Sequence, residues 1–354
     1  MNSDNQKRTI FLTGATGLVG SYLLKILLQH GHKVYCLARS KDNKRAKQRV
    51  VDILNFWDKK VYPKYRRNLI VLEGDIAKEN LGLSKKNRDL LKTDTEEIFH
   101  SAAVTDINWP LNKIRKINVG GTKNVLELAL KCKKLKKVNH ISTAYVCGNY
   151  KGVFTENDLD VGQGFNSTYE QSKFEAEKLV KQYRKYLWVD IFRPAIVIGE
   201  SKSGRILQFR NIYQFIHLFC LEIFDSFPIS EGIISVVTVD DAAKATYLIS
   251  KKTRAINGNY HIFPSRFLPI QVLIKYANKY LGFQQPKTVS FEDFLTNLTP
   301  VQMEILKRNI LSLNISVKLE SHLTECILSN FSFKFHKLGK NNLTPILKFF
   351  KTSK

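Results

Sequence analysis

The sequence predicts an α/β fold, a doubly wound parallel sheet followed by a smaller, mainly helical C-terminal region. Three observations carry that prediction. From Arg8 onward, β-rich runs alternate with helical patterns. The runs are apolar almost throughout, as strands buried on both faces require. A glycine-rich turn joins the first run directly to the first helical pattern.

The first strand is Thr9 to Thr13 and the first helix Leu18 to Gln29, with Leu23, Leu24, Leu27 and Leu28 on one stripe. Gly31 follows, in the position where a left-handed residue closes a helix. Further strands are predicted at Lys33 to Ala38, Leu69 to Glu73, Glu97 to Ser101, Lys137 to Ser142 and Leu187 to Phe192. Helices are predicted over Asn118 to Lys131 and Tyr169 to Tyr186. After about residue 200 the pattern loosens into an aromatic-rich stretch (Phe209 to Phe227), a strand-like run (Ile233 to Val239) and a helix start at Thr299-Pro300. The expected division is residues 1–200 for a dinucleotide-binding domain and 201–354 for a substrate region. The latter returns strands to the main sheet and ends in a helical, basic tail.

A chain of 354 residues, 44% hydrophobic and 25% charged, has the material for a sizeable core, which excludes wholesale disorder and small disulfide scaffolds. The 56 Lys+Arg against 31 Asp+Glu leave +25, a field that favours anionic partners without choosing among them. The five lysines within Lys131 to Lys137 are expected on a solvated face. Five scattered cysteines without a C-x-x-C pair, and a polar start from Met1 to Thr9 unlike a signal peptide, lead to the expectation of a cytoplasmic protein. No uncharged apolar run reaches the length of a membrane span. No nucleic-acid motif and no metal-ligand spacing is evident, His100, His140 and His261 being better placed as strand-end or core residues.

The turn after the first strand reads Thr13-Gly14-Ala15-Thr16-Gly17-Leu18-Val19-Gly20. Glycines here let the backbone approach a pyrophosphate, and unpaired N–H groups with the helix dipole stabilise its charge. The second strand ends at Arg39 and Ser40 with no carboxylate to hold a ribose 2′-hydroxyl. A basic residue at that place suits a 2′-phosphate, so NADPH is the expected cofactor, with Arg39 the main contact and Ser40 a secondary one.

Tyr169-Glu170-Gln171-Ser172-Lys173 opens a predicted helix, and its i,i+4 spacing puts Tyr169 and Lys173 on one face. A tyrosine with an ordinary pKa of about 10 is a poor acid-base group at neutral pH, and an adjacent ammonium would bring it toward the working range. Ser142-Thr143-Ala144-Tyr145 follows the fifth strand, at the sheet edge where parallel α/β folds bind ligands.

With His100-Ser101-Ala102-Ala103 and Asn118-Val119-Gly120-Gly121-Thr122, these motifs resemble the extended short-chain dehydrogenase/reductase family, over roughly residues 8 to 262. The runs Ser142 to Val146, Tyr169 to Glu177 and Arg193 to Glu200 resemble its branch of fatty acyl-CoA reductases and carrier-bound thioester reductases. The resemblance implies a Rossmann fold and an NADP-dependent oxidoreductase. Tyr169 would donate a proton to the oxyanion, Thr143 would hydrogen-bond that oxygen, and Lys173 would hold the nicotinamide ribose and lower the tyrosine pKa. It also implies that Asp75 and Ile76 contact adenine, Ala102 and Ala103 line the groove, and Pro194 with Ile196 flanks the nicotinamide. Asn118 joins the cofactor side, where in extended members it more often holds backbone and water.

The leading expectation is reduction of an acyl thioester, presented on coenzyme A or an acyl-carrier protein, to the aldehyde, with the alcohol open as the product of a second hydride. The aromatics Phe209, Tyr213, Phe215, Phe219, Phe224 and Phe227 are candidates for an acyl channel or, equally, for an ordinary core. The acid-free tail after Glu325 is a candidate for peripheral contact with an anionic membrane. Alternatives are a ketone or hydroxyl oxidoreductase, a sugar-nucleotide modifier of the same family, and a cofactor-sensing binding protein, against which an intact Thr143, Tyr169 and Lys173 weighs.

Overall fold

The computed structural model describes residues 6–228, 233–252, 256–265, 268–309 and 317–353. Seven parallel strands form the central sheet: β1 (Thr9–Thr13), β2 (Lys33–Ala38), β3 (Leu69–Glu73), β4 (Glu97–His100), β5 (Lys137–Ile141), β6 (Val189–Pro194) and β7 (Asn259–Ile262). Their spatial order is β7-β6-β5-β4-β1-β2-β3. Ile10 pairs with Val34 on one side and Glu97 on the other, so β1 lies inside the sheet, and the chain winds outward from it in both directions. Where the winding reverses, between β1 and β4, the loops part and leave a crevice at the carboxyl ends of the strands.

The strands hold because both faces are covered. Helix α1 (Leu18–Gln29) buries Leu23, Leu24, Leu27 and Leu28 completely, with α2 (Ala46–Trp57) contributing Val50 and Leu54 to the same cluster. Helix α3 (Lys85–Asp94) lies on the opposite face. The predicted helix over Asn118 to Lys131 is α5 (Gly120–Ala129); a helix not predicted, α4 (Leu111–Asn118), precedes it, and Val119 at φ −90° stands between the two. Of the lysine run, Lys131, Lys133, Lys134 and Lys136 are exposed, but Lys137 opens β5 and is buried beside Glu97 at 3.8 Å.

Helix α6 (Thr168–Tyr183) carries Tyr169 and Lys173. Beyond it the expected strand at Ile233 to Val239 divides. Ile233–Ile234 pairs antiparallel with Leu268–Pro269, Val236–Thr238 pairs parallel with Ile196–Ile198, and Val239 already opens a helix. Between these lies α7 (Ile212–Cys220). The helix begun at Val239, α8 (Val239–Ser250), returns to the first layer and packs on α1, where Tyr247 Oη meets His32 Nε2 at 3.1 Å and the Tyr247 and His30 rings lie 4.4 Å apart.

Packing bears on two open readings of the second half. Phe215, Phe219, Phe224 and Phe227 are buried against one another and against α9 (Ile270–Leu281), so these aromatics belong to a core and do not line the crevice at the strand ends. In the tail, α10 (Lys340–Thr352) turns Leu343, Ile346, Leu347 and Phe350 into that same core. Its apolar face is therefore occupied within the protein and is not presented to a lipid surface. No helix among the described residues is long and apolar enough to cross a membrane.

Candidate active site

The crevice opens into a cavity of about 540 Å³ along the carboxyl ends of the strands. Its cofactor end is built by the β1–α1 turn. Gly14 takes φ +78°, and a Cβ there would fall 2.5 Å from Ala102 N, so the turn and the loop after β4 touch through backbone alone. A Cβ on Gly20 would meet Gly14 O at 2.3 Å. Thr13 Oγ1 bonds His100 Nδ1 at 2.8 Å, and His100 Nε2 bonds Thr122 Oγ1 at 3.0 Å. Burial and the nearby Lys173 ammonium pull that imidazole down to about 3, so it is neutral and structural.

Helix α1 starts after Gly17 with no side-chain cap, and its first turn faces the cavity through Leu18 and Val19. An uncapped helix N-terminus beside glycines is an anion site. Deeper in, Ser142 Oγ is buried, lines the cavity and has no hydrogen-bond partner. Uncapped N–H groups, an orphaned hydroxyl and Arg39 at the rim together fit a nicotinamide dinucleotide.

Thr13, Gly14, Thr16, Gly17, Leu18 and Val19 all face this cavity, as do Arg39, Asp75, Ile76, Ala102, Ala103, Pro194 and Ile196. Three of the expected cofactor residues stand behind its wall. Gly20 backs Gly14. Ser40 Oγ accepts from Ala46 N at 3.1 Å, at the start of α2. Asn118 holds the Val104 backbone through N at 2.8 Å and O at 3.0 Å, and donates to Ser172 Oγ at 2.9 Å, so it ties the loop after β4 to α6. Arg39 itself is not a lone cation: its guanidinium lies 3.5 Å from the Asp75 carboxylate.

At the middle of the cavity stand Thr143, Tyr169 and Lys173. Thr143 Oγ1 accepts from Tyr145 N at 3.3 Å and shares a hydrogen bond with the Tyr169 hydroxyl. Lys173 Nζ donates to Ile141 O at 2.8 Å. Burial pulls the Lys173 ammonium down to about 8, with Glu177 opposing. Lys173 is not among the groups that shift Tyr169 here. Desolvation pushes Tyr169 up to about 12 against the Thr143 hydrogen bond, with Glu170 adding to the rise. A tyrosine that keeps its proton is suited to act as an acid.

Three further groups of residues were given no role by motif reasoning. Glu170 is buried in the cavity wall, and burial raises its carboxyl to about 7 against hydrogen bonds from the Asn166 and Ser167 backbone. Glu177 makes a fully buried bidentate pair with Arg193, with Arg193 Nη2 at 2.7 Å from Oε2, joining the catalytic helix to β6. The spacing of Glu177 from Glu170 (i,i+7) and from Lys173 (i,i+4) was visible, but no spacing announces a partner on another element. Asp240, Asp241 and His336 come within 4.8 Å of one another outside the cavity, and their oxygens are taken by Ser201 and His336.

Residues 12–246 match the model of the male sterility protein family. Fatty acyl-CoA reductase wat of Drosophila melanogaster is 32% identical over 235 residues, 58% of this chain and 46% of its own. A carboxylic acid reductase of Segniliparus rugosus is 31% identical over 217 residues, 56% of this chain and 18% of its own. The chain thus spans less than half the length of these relatives. In fold it is similar to the terminal R domain from the myxalamid PKS-NRPS biosynthetic pathway, with TM-score 0.83 and 24% identity, covering 99% of this chain and 90% of that one.

Proposed function

Because this chain belongs to the male sterility protein family, we propose that it is an NADPH-dependent reductase of acyl thioesters carried on coenzyme A or an acyl-carrier protein. The observation that carries this reading is the enclosure of Thr143, Tyr169 and Lys173 in the cavity that the uncapped α1 turn opens onto. Bound NADPH supplies a hydride to the thioester carbonyl carbon. Tyr169 gives its proton to the carbonyl oxygen, and Thr143 hydrogen-bonds that oxygen as charge develops on it. The resulting hemithioacetal breaks its C–S bond to leave aldehyde and thiol, and a second round on the aldehyde gives the alcohol. Lys173, titrating near 8, returns the proton to the tyrosine oxygen.

Arg39, shared with Asp75, is the group that selects the 2′-phosphate in this reading. The scattered cysteines support the cytoplasm as its compartment. Purified protein is given NADPH and a panel of acyl-CoA thioesters, aldehydes and ketones, with loss of NADPH absorbance and release of free thiol as readouts. Thiol release that Tyr169→Phe lowers by about a hundredfold or more supports the reading. Turnover of ketones alone, or tight NADPH binding without turnover, moves the function to a carbonyl oxidoreductase or a cofactor sensor.

A further inference from the structure

Among the residues that line the cavity is a second arginine that the reaction above leaves unused. Arg210 lines the mouth, and its Nη1 donates to Thr105 Oγ1 at 3.0 Å, bridging from the stretch before α7 to the loop after β4. Both banks of that bridge are held. On one, the Phe209 ring packs on Tyr213 and Phe350 at 5.3 and 4.9 Å, and Asn211 closes a reciprocal cap with Gln214 at the start of α7. On the other, Asn118 grips Val104, and Thr168 Oγ1 donates to Trp109 O at 2.8 Å. Among the described residues Arg210 has a neutral hydroxyl as its hydrogen-bond partner and forms no ion pair. Asp106, the nearest carboxylate along that loop, turns onto Asn108 N at 3.0 Å.

A positioned guanidinium with most of its donors unspent, beside the N-terminus of a helix, is matched to an oxyanion. We propose that Arg210, with Thr105, binds the phosphoester of the pantetheine arm that presents the thioester. The inference rests on the thioester reading and follows from the shape of such a substrate. Its reacting carbon must reach Tyr169 in the cavity, the uncharged amide arm runs out through the mouth, and the phosphate that ends the arm on either carrier arrives at the rim. The cavity is then bracketed by two arginines, Arg39 for the cofactor's ribose phosphate and Arg210 for the phosphate of the substrate's arm.

The test compares wild type with Arg210→Ala on one acyl group carried three ways: on coenzyme A, on a phosphopantetheinylated carrier protein, and on N-acetylcysteamine, which has no phosphate. The expected result is a KM raised by about tenfold or more for the two phosphate-bearing thioesters. KM for the N-acetylcysteamine thioester and for NADPH stays unchanged, and Arg210→Lys restores part of the loss. The carrier showing the larger rise identifies the source of the phosphate. An equal rise for all three thioesters, reproduced by Thr105→Val, overturns the proposal in favour of a bridge that only shapes the mouth. A rise confined to NADPH overturns it in favour of a cofactor contact. Wild type that binds NADPH and reduces none of the three fails the thioester reading itself, and the proposal falls with it.

Discussion

Two helices aim their N-termini at the same cavity, and they begin in opposite ways. Helix α1 starts after Gly17 with no side-chain cap and no acidic residue in its first turn. Helix α6 starts behind Ser167, whose hydroxyl accepts from Glu170 N at 3.2 Å, while the Glu170 carboxylate takes Asn166 N at 2.9 Å. The first leaves its N–H groups for a ligand; the second satisfies them from within. An open end binds an anion, and a closed end makes a stiff mount for a side chain that must not wander. The second helix is also pinned further along its length, where Glu177 meets Arg193 away from solvent.

The comparison is broken most severely at that pin. Glu177→Gln leaves the Arg193 charge buried against a neutral partner, and denaturant unfolding is expected to register a loss of about 3–5 kcal/mol. Next comes the open end. Gly20→Ala drives a methyl toward Gly14 O, and a cofactor titration should find NADPH binding weakened about a hundredfold, close to 2.8 kcal/mol. The third test is pH. Lys173 is held down to about 8 by burial, so its proton is lost as pH rises through that value, while Tyr169 keeps its own to about 12. The rate of reduction should fall above pH 8 by about tenfold per unit, a slope read from a pH profile of kcat/KM. The smallest effect belongs to Ser167→Ala, which removes the cap of α6 for about 1 kcal/mol and leaves NADPH affinity where it was. A matching loss of cofactor affinity there would erase the distinction between the two ends.

The parts of the molecule written locally were legible. β1, α1, β2 and β3 begin and end where apolar runs, glycines and charge changes put them, because strands covered on both faces tolerate little else. That Tyr169 and Lys173 share one helix face was legible for a related reason: their i,i+4 spacing is itself the geometry. What depends on a distant partner was not. The break after Asn118 has no proline or capping signal, and its side chain spends itself on Val104 and Ser172. The aromatics from Phe209 to Phe227 and the apolar face of α10 each suited a ligand or a lipid when seen alone. Each proved to be the other's neighbour. Ser40 and Arg39 carried the right chemistry, but Ala46 N claims one and Asp75 shares the other.

The contact of Tyr247 with His30 and His32 has a consequence for how the protein comes into being on the ribosome. The helix that forms the phosphate cradle is among the first segments made, yet one flank of it is covered by α8, about 220 residues later in the chain. At ordinary bacterial or eukaryotic speeds of about 5–20 residues per second, that flank waits some ten to forty seconds for its cover. Until then Leu27 and its neighbours stand beside a gap, so the nascent chain passes that interval with the β1–α1 turn assembled in sequence but not yet clamped in space.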